Sequence, residues 1–324
     1  MNGWIEKNEN IKRQIEKHLQ TLPPIFYEFY VDMQGDGKSY TTIRNYLNYV
    51  EHFMKYVSAE NNTDDWYSSI KPATVKQYII SLATRNKGDD VVKTSDDYQA
   101  LRWSALNTFF KFLMVNEYIR QNPMSKTKRP KINTEHTVTF LTKKEIAKVM
   151  ASIEQNYTGN MLTRDKAIIG LALTTGIRVS ALVQINIEDI DWDNNTIKVV
   201  EKRTKTKSLQ FGENTKKLLL DWLNTREQYY GGVETTALFL SQWKRRITTN
   251  GVRDLVTKYT KDINKHVTPH KLRATAATQA AAAGVSVQTI QEMYNHGSIQ
   301  TTMRYVKALN KEKKNAINIM DNIV

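Results

Sequence analysis

The chain has no cysteine among its 324 residues. That single absence removes disulfides, thiolate catalysis and cysteine-ligated zinc. It also lacks any apolar run approaching the ~18 residues that would span a bilayer, so a membrane is not an expected partner. The N-terminus, Met1-Asn2-Gly3-Trp4-Ile5-Glu6-Lys7, has no apolar stretch of the signal-peptide kind, and the expected location is the cytoplasm. Acidic residues are in deficit: 33 Asp and Glu against 47 Lys and Arg leave a formal charge of +14. An excess of that sign points to an acidic polymer, and nucleic acid fits better than a membrane surface. A phosphate-binding P-loop is missing too. Gly35-Asp36-Gly37-Lys38-Ser39 has its ending, but Asp32 stands where the pattern requires glycine.

What is present is mostly helical periodicity. Hydrophobic residues make up 40% of the chain, enough for packed cores, and the length predicts two domains. Residues 4–20 carry a thin apolar stripe that Pro23-Pro24 is expected to end. Ser39 is the expected cap of a helix from Tyr40 to Val57, where Ile43, Leu47, Val50, Phe53 and Val57 recur at threes and fours. Further helices are predicted over Pro72–Thr84 and Tyr98–Asn116. The polar stretch from Asn86 to Asp97 between them reads as a loop. Trp103 and Phe109 read as core residues, and Asn122-Pro123 is expected to stop the last of these helices.

Around Pro130 the chain crowds Lys126, Lys128, Arg129 and Lys131 with no apolar pattern, a basic linker suited to a phosphate backbone. Thr142-Lys143-Lys144-Glu145 is a capping box that opens the second domain. A buried helix from about Thr163 to Thr174 comes next, ended by Gly176. Thr196–Val200 and Ser208–Phe211 read as paired strands around the basic turn Glu201–Lys207. The helices Asn214–Tyr230 and Asn250–Ile263 read as scaffold.

The chemistry lies near the end of the chain. Pro269 at the first turn of a helix would send His270 and Arg273, three apart, from one face. Gly284 breaks the chain before a short helix over Ser286–Tyr294. His296 and Tyr305 come next. A tyrosine hydroxyl titrates near ~10 and is a poor nucleophile unaided, so its use requires a base and fixed positive charge. The stretch offers His270, His296 and Arg273 beside the tyrosine, and Arg178 stands upstream in Thr175-Gly176-Ile177-Arg178-Val179-Ser180-Ala181-Leu182. The other histidines, His18, His52, His136 and His266, match no pattern, and Tyr229, Tyr230, Tyr259 and Tyr294 rival Tyr305 by composition alone.

These boxes, in this order, resemble the catalytic domain of the tyrosine recombinase (phage integrase) family. The pattern is an Arg after Thr-Gly, a Lys on a β-hairpin, His-x-x-Arg, a His, then Thr-Thr-x-x-Tyr. The resemblance covers about residues 140–306. It departs at Ala181, where the family has an acidic residue, and in the hairpin, where Glu201 and Arg203 replace glycines.

The resemblance implies a mainly α fold: a helical, SAM-like core-binding domain over residues 1–122, a basic interdomain linker over 123–139, and a mixed α+β catalytic domain with a small antiparallel sheet and C-terminal helix over 140–324. The two domains would close as a C-shaped clamp on duplex DNA. It implies site-specific recombination through a 3′-phosphotyrosine, with Tyr305 as nucleophile, His270 as base, His296 as donor to the phosphate, Arg178 and Arg273 as its clamp, and Lys202 as acid. Lys205 competes with Lys202 for that last role. Arg203, Lys205 and Lys207, with the basic linker, are the expected DNA contacts. No cofactor, metal or ATP is expected. The expected assembly is a homo-tetramer on synapsed DNA, with DNA-bending accessory proteins, in a nucleoid-associated setting and in service of a mobile element. A type IB topoisomerase-like enzyme, or a DNA-binding regulator with a decayed site, are the alternatives.

Overall fold

The computed structural model describes residues 2–58, 65–87, 90–131, 138–155, 159–201, 205–233, 235–294 and 298–321. It divides the chain into two compact units, Met1–His136 and Thr137–Val324. The described fold is mainly helical with a small antiparallel sheet in the second unit.

The first unit contains α1 (Asn2–Leu19), α2 (Ile25–Gly35), α3 (Tyr40–Val57), α4 (Pro72–Ser81) and α5 (Asp96–Val115). Ser39 and Ser95 start α3 and α5, each accepting a backbone N–H, from Thr42 and Tyr98, at 3.2 Å. Aromatic side chains fill the core. Phe26, Phe29, Phe53, Phe109 and Phe110 are fully buried, and Trp66 stacks on Phe109 with centroids 5.7 Å apart. Trp103 packs against this core from its edge.

Three local expectations are corrected. The stretch read as a loop forms an antiparallel hairpin, β1 (Thr84–Lys87) with β2 (Asp90–Lys93). The pairing is closed at its base by Thr94, whose N–H donates to Ala83 at 2.9 Å. The prolines open elements rather than ending them. Helix α1 stops at Leu19, and Pro24 leads into α2 with φ −52°. Likewise α5 stops at Val115, Glu117 takes a left-handed φ of 62°, and Pro123 begins a 3₁₀ turn over Pro123–Lys126. Pro123 and Met124 of that turn are buried in the first unit while Ser125 and Lys126 are exposed, and Trp103 donates to Thr127 Oγ1 at 3.2 Å.

The second unit contains α6 (Lys143–Gln155), α7 (Met161–Thr175), α8 (Val179–Leu182), β3 (Ile190–Asp191), β4 (Thr196–Glu201), β5 (Lys205–Gln210), α9 (Glu213–Tyr230), α10 (Thr249–Tyr259), α11 (Pro269–Ala282), α12 (Val287–Met293) and α13 (Ile299–Asp321). The capping box is present: Glu145 N–H reaches Thr142 Oγ1 at 3.2 Å while Thr142 N–H reaches the Glu145 carboxylate at 2.8 Å. Buried α7 packs on α9 and α11. Leu141 is stapled to α11 by N–H donation to Thr275 Oγ1 (2.9 Å) and acceptance from Gln279 (3.0 Å). The sheet runs β3-β4-β5, with Val199 opposite Lys207 and Glu201 opposite Lys205. Residues 202–204 therefore connect the two long strands. Alanines at 274, 276 and 277 are buried, and their small size lets α13 lie close against α11. Tyr305 sits early on α13, which continues unbroken through the tail to Asp321.

Candidate active site

Helix α7 ends because Gly176 adopts φ +58°, which a side chain disfavours. A second constraint acts at the same residue. A Cβ there would stand 2.3 Å from Cε1 of Tyr294, so the tyrosine ring occupies the space that glycine leaves. Arg178 comes two residues later, half-buried, as the extended residue that starts α8. Its position is thus set by the end of a buried helix.

Pro269 is the first residue of α11, as expected, and Thr268 before it is extended. His270 and Arg273 lie within one turn of each other. Arg273 is only 5% exposed and spans the cluster: Nη1 donates to the Gly176 carbonyl at 2.6 Å and Nη2 to the Tyr294 carbonyl. Its Cζ lies 5.7 Å from the centre of the Tyr294 ring. A planar fork suits this double task, because its two ends point to acceptors on different elements. Tyr305 is also 5% exposed and packs with Ala274, Ala276, Ala277, Ile290 and Tyr294.

The electrostatics join these residues. Burial against the cluster, then the charges of Lys271, Arg273 and Arg178, hold the His270 pKa below the ordinary histidine value, although the residue taken whole is exposed. Burial pushes the Tyr305 hydroxyl up from the usual tyrosine value, and Arg273, Arg304 and Arg178 oppose that rise. Near neutral pH the cluster therefore holds an uncharged histidine and a protonated tyrosine in the field of the same arginines. A neutral imidazole can accept the proton that a tyrosine must lose in order to attack.

The structure brings together Arg178, His270, Arg273 and Tyr305. Lys202, Arg203 and His296 lie outside the described residues, and Lys205 is described only by its backbone pairing with Glu201. Lys126, Lys128, Arg129 and Lys131 are exposed on the first unit. Lys207 has partners inside the protein: its ammonium donates to the carbonyls of Glu292 and, at 2.9 Å, Met293. Ala181 is 4% exposed in the apolar core. Of the competing tyrosines, Tyr294 lies within the cluster, where its ring sits against Arg273, and the other three have other positions. Tyr259 donates to buried Asp165 at 2.7 Å, Tyr230 lies against Met161, and Tyr229 is exposed.

Three residues escaped sequence reading: Gly176 as more than a helix stop, Tyr294 as the ring beneath Arg273, and Arg304 as a further cation acting on Tyr305. Arg304 alone had a signal, its adjacency to Tyr305. Among the described residues no group of three or more His, Asp or Glu stands together that could hold a metal ion. None of the described helices is long and apolar enough to cross a membrane.

The profile of the phage integrase family matches residues 139–312. Tyrosine recombinase XerC of Thermodesulfovibrio yellowstonii is 30% identical over 292 residues, covering 88% of this chain and 90% of its own. Tyrosine recombinase XerS of Streptococcus gordonii is 28% identical over 355 residues, covering 96% and 99%. Among solved structures, the XerH site-specific recombinase bound to palindromic difH substrate superposes with a TM-score of 0.68 at 19% identity, covering 87% of this chain and 81% of that one. The Tn1549 transposon integrase in complex with circular intermediate DNA gives 0.66 at 19% identity, covering 87% and 94%. At that identity the two structures speak for the fold.

Proposed function

Because this chain belongs to the phage integrase family of tyrosine recombinases, we propose that it carries out site-specific DNA recombination with Tyr305 as its nucleophile. The observation that carries the residue assignment is geometric: buried Arg273, one turn from His270 on α11, ties the carbonyl of Gly176, two residues before Arg178, to that of Tyr294, against which Tyr305 packs.

In this reading the Tyr305 oxygen attacks a DNA phosphorus as its proton passes to His270. Arg178 and Arg273 hold the non-bridging oxygens and neutralise charge that grows in the transition state. His296 donates a further hydrogen bond to the phosphate. The bond from phosphorus to the 5′-oxygen breaks, and Lys202 supplies the proton that this oxygen needs, its ammonium made a readier donor by nearby cations. The strand remains attached as a 3′-phosphotyrosine, and a partner strand's 5′-hydroxyl then reverses the step. Bond energy is retained in the protein–DNA link, so ATP has no role, and the cations take the part a metal would play.

The first unit, as the core-binding domain, with the basic segment near its C-terminal end, would grip duplex DNA, and a homo-tetramer would synapse two sites with the help of DNA-bending proteins. Excision or integration of a mobile element is the setting this chemistry suits. Relaxation of supercoils by a topoisomerase-like monomer is not favoured, since the curated relatives matched are recombinases.

The test is a nicked suicide duplex bearing the cognate site, incubated without metal or ATP and resolved on a denaturing gel. A protein-linked strand mapping to Tyr305, and lost in Tyr305→Phe while binding persists, is the expected result. Site-bound protein with no adduct would leave a DNA-binding regulator instead.

A further inference from the structure

Strand β5 carries a cation for which the mechanism above has no use. Along β4 and β5 side chains alternate, and Lys207 pairs with Val199 and shares its face with Leu209, both buried. Val200 and Thr206, one step toward the tip, lie on the opposite, exposed face. From the buried face the half-buried Lys207 reaches with its ammonium the carbonyls of Glu292 and Met293, at the C-terminal end of α12. A cation is favoured there by the partial negative charge of the helix end.

The residue after Met293 is Tyr294, whose carbonyl receives Arg273 and whose ring fills the gap at Gly176. One lysine therefore ties the hairpin to the same short stretch of backbone that Arg273 holds. The connection 202–204, which immediately precedes Lys205 at the start of the same strand, contains Lys202. A lysine that only touched DNA would extend into solvent, as the exposed Lys198 on the opposite face of the hairpin does. An ammonium has three N–H donors, and Lys207 directs its contacts to fixed protein carbonyls.

We propose that Lys207 is a positioning residue, a strut that fixes the β4–β5 hairpin against the α12–Tyr294–Arg273 unit and so places Lys202 for protonation of the leaving strand. The proposal rests on the reading of Lys202 as proton donor. It makes departure of the 5′-oxygen depend on the same stretch of backbone that holds Arg273. Loss of the strut slows bond breaking without touching Tyr305 or the arginines.

The test compares single-turnover cleavage of two suicide duplexes, one with the ordinary 5′-oxygen and one with sulfur in that bridging position. A thiolate, with a thiol pKa near ~8.5, leaves without a proton donor. Lys207→Met keeps the stem and removes the donor, Lys207→Gln keeps a shorter donor, and Lys207→Arg keeps the charge. Lys207→Met and Lys207→Gln are expected to slow oxygen cleavage about 10- to 100-fold, the worth of a charge-assisted hydrogen bond. The sulfur substrate should restore them to near the unsubstituted rate, and Lys207→Arg should stay close to that rate throughout. Lys202→Ala is run beside them. If sulfur fails to rescue Lys202→Ala, the Lys202 reading falls and the proposal with it. If sulfur rescues Lys202→Ala but neither Lys207 variant, or if those variants cleave oxygen at full rate or do not fold, the proposal alone is overturned.

Discussion

Gly176 and Tyr294 meet where only a hydrogen fits: a Cβ on Gly176 would lie 2.3 Å from the tyrosine Cε1 and 2.6 Å from Cδ1. Both residues also give their carbonyls to Arg273. The helix stop and the clamp for Arg273 are thus one construction. Gly176→Ala should lose about 2–4 kcal/mol of stability, from the left-handed backbone at φ +58° and from overpacking. It should also lower cleavage beyond what unfolding explains, since moving either carbonyl moves Arg273. Denaturant midpoints and single-turnover rates at a temperature where the variant is folded check both. A folded, fully active Gly176→Ala would refute the linkage.

Arg273→Lys keeps the charge and removes the fork. Arg273 reaches the Gly176 and Tyr294 carbonyls from the two separate ends of its fork, whereas an ammonium is a single point and is expected to give up one of them, and one buried acceptor left unsatisfied costs about 1–3 kcal/mol. The expected outcome is a measurable loss of stability together with a fall in cleavage of ~100-fold or more, the scale of a lost transition-state donor. Protein melting and cleavage kinetics measured on the same preparation decide it. A rate near the unsubstituted value would show that charge alone suffices.

With His270 as the proposed base, its titration should set the acid side of the pH profile. Burial and then Lys271, Arg273 and Arg178 lower its pKa, so the folded protein holds it neutral where the unfolded chain, with a histidine near ~6.5, is already protonated. Unfolding then takes up a proton. The His270 contribution to stability accordingly declines as pH falls from ~6.5 to the folded pKa and is flat below it. As the base, it should put the midpoint of the acid limb of cleavage below ~6.5, and Lys271→Gln, by removing one opposing charge, should move that midpoint upward. Tyr305, raised by burial, keeps its proton throughout this range. An acid limb centred above ~6.5 would remove His270 from the role.

How far the sequence could be read depended on the range of the interaction. Caps at Ser39 and Thr142, the stop at Gly176 and the start at Pro269 are set by neighbours within a turn, and each stands where the residues indicated. The His270–Arg273 spacing was legible for the same reason. The β1–β2 hairpin was not, because Val91 on its second strand is 69% exposed and no alternation marks a buried face. Prolines misled where helices had ended earlier: Leu19 and Val115 close α1 and α5, and the prolines fit the first turn of the next helical element. Contacts across the fold left no trace in the pattern. Lys207 meets carbonyls 85 and 86 positions away, and its place in a basic run made it look like a phosphate contact.

That last distinction can be measured through salt. Lys126, Lys128, Arg129 and Lys131 are exposed in the first unit, and their charge suits them to track a phosphate backbone. Each cation that neutralises a phosphate releases counterions, so the slope of log affinity against log salt steepens by about 0.9 per contact on duplex DNA. Replacing all of them with glutamine should flatten the slope by about 3–4 if each touches phosphate, and weaken binding most at low salt. Lys207→Met should leave the slope as it was, because its ammonium is held by Glu292 and Met293. Equilibrium binding at a series of salt concentrations separates the two kinds of lysine. A slope indifferent to the linker residues would show that cluster to be a solvated surface, and a slope reduced by Lys207→Met would place its ammonium on DNA rather than on α12.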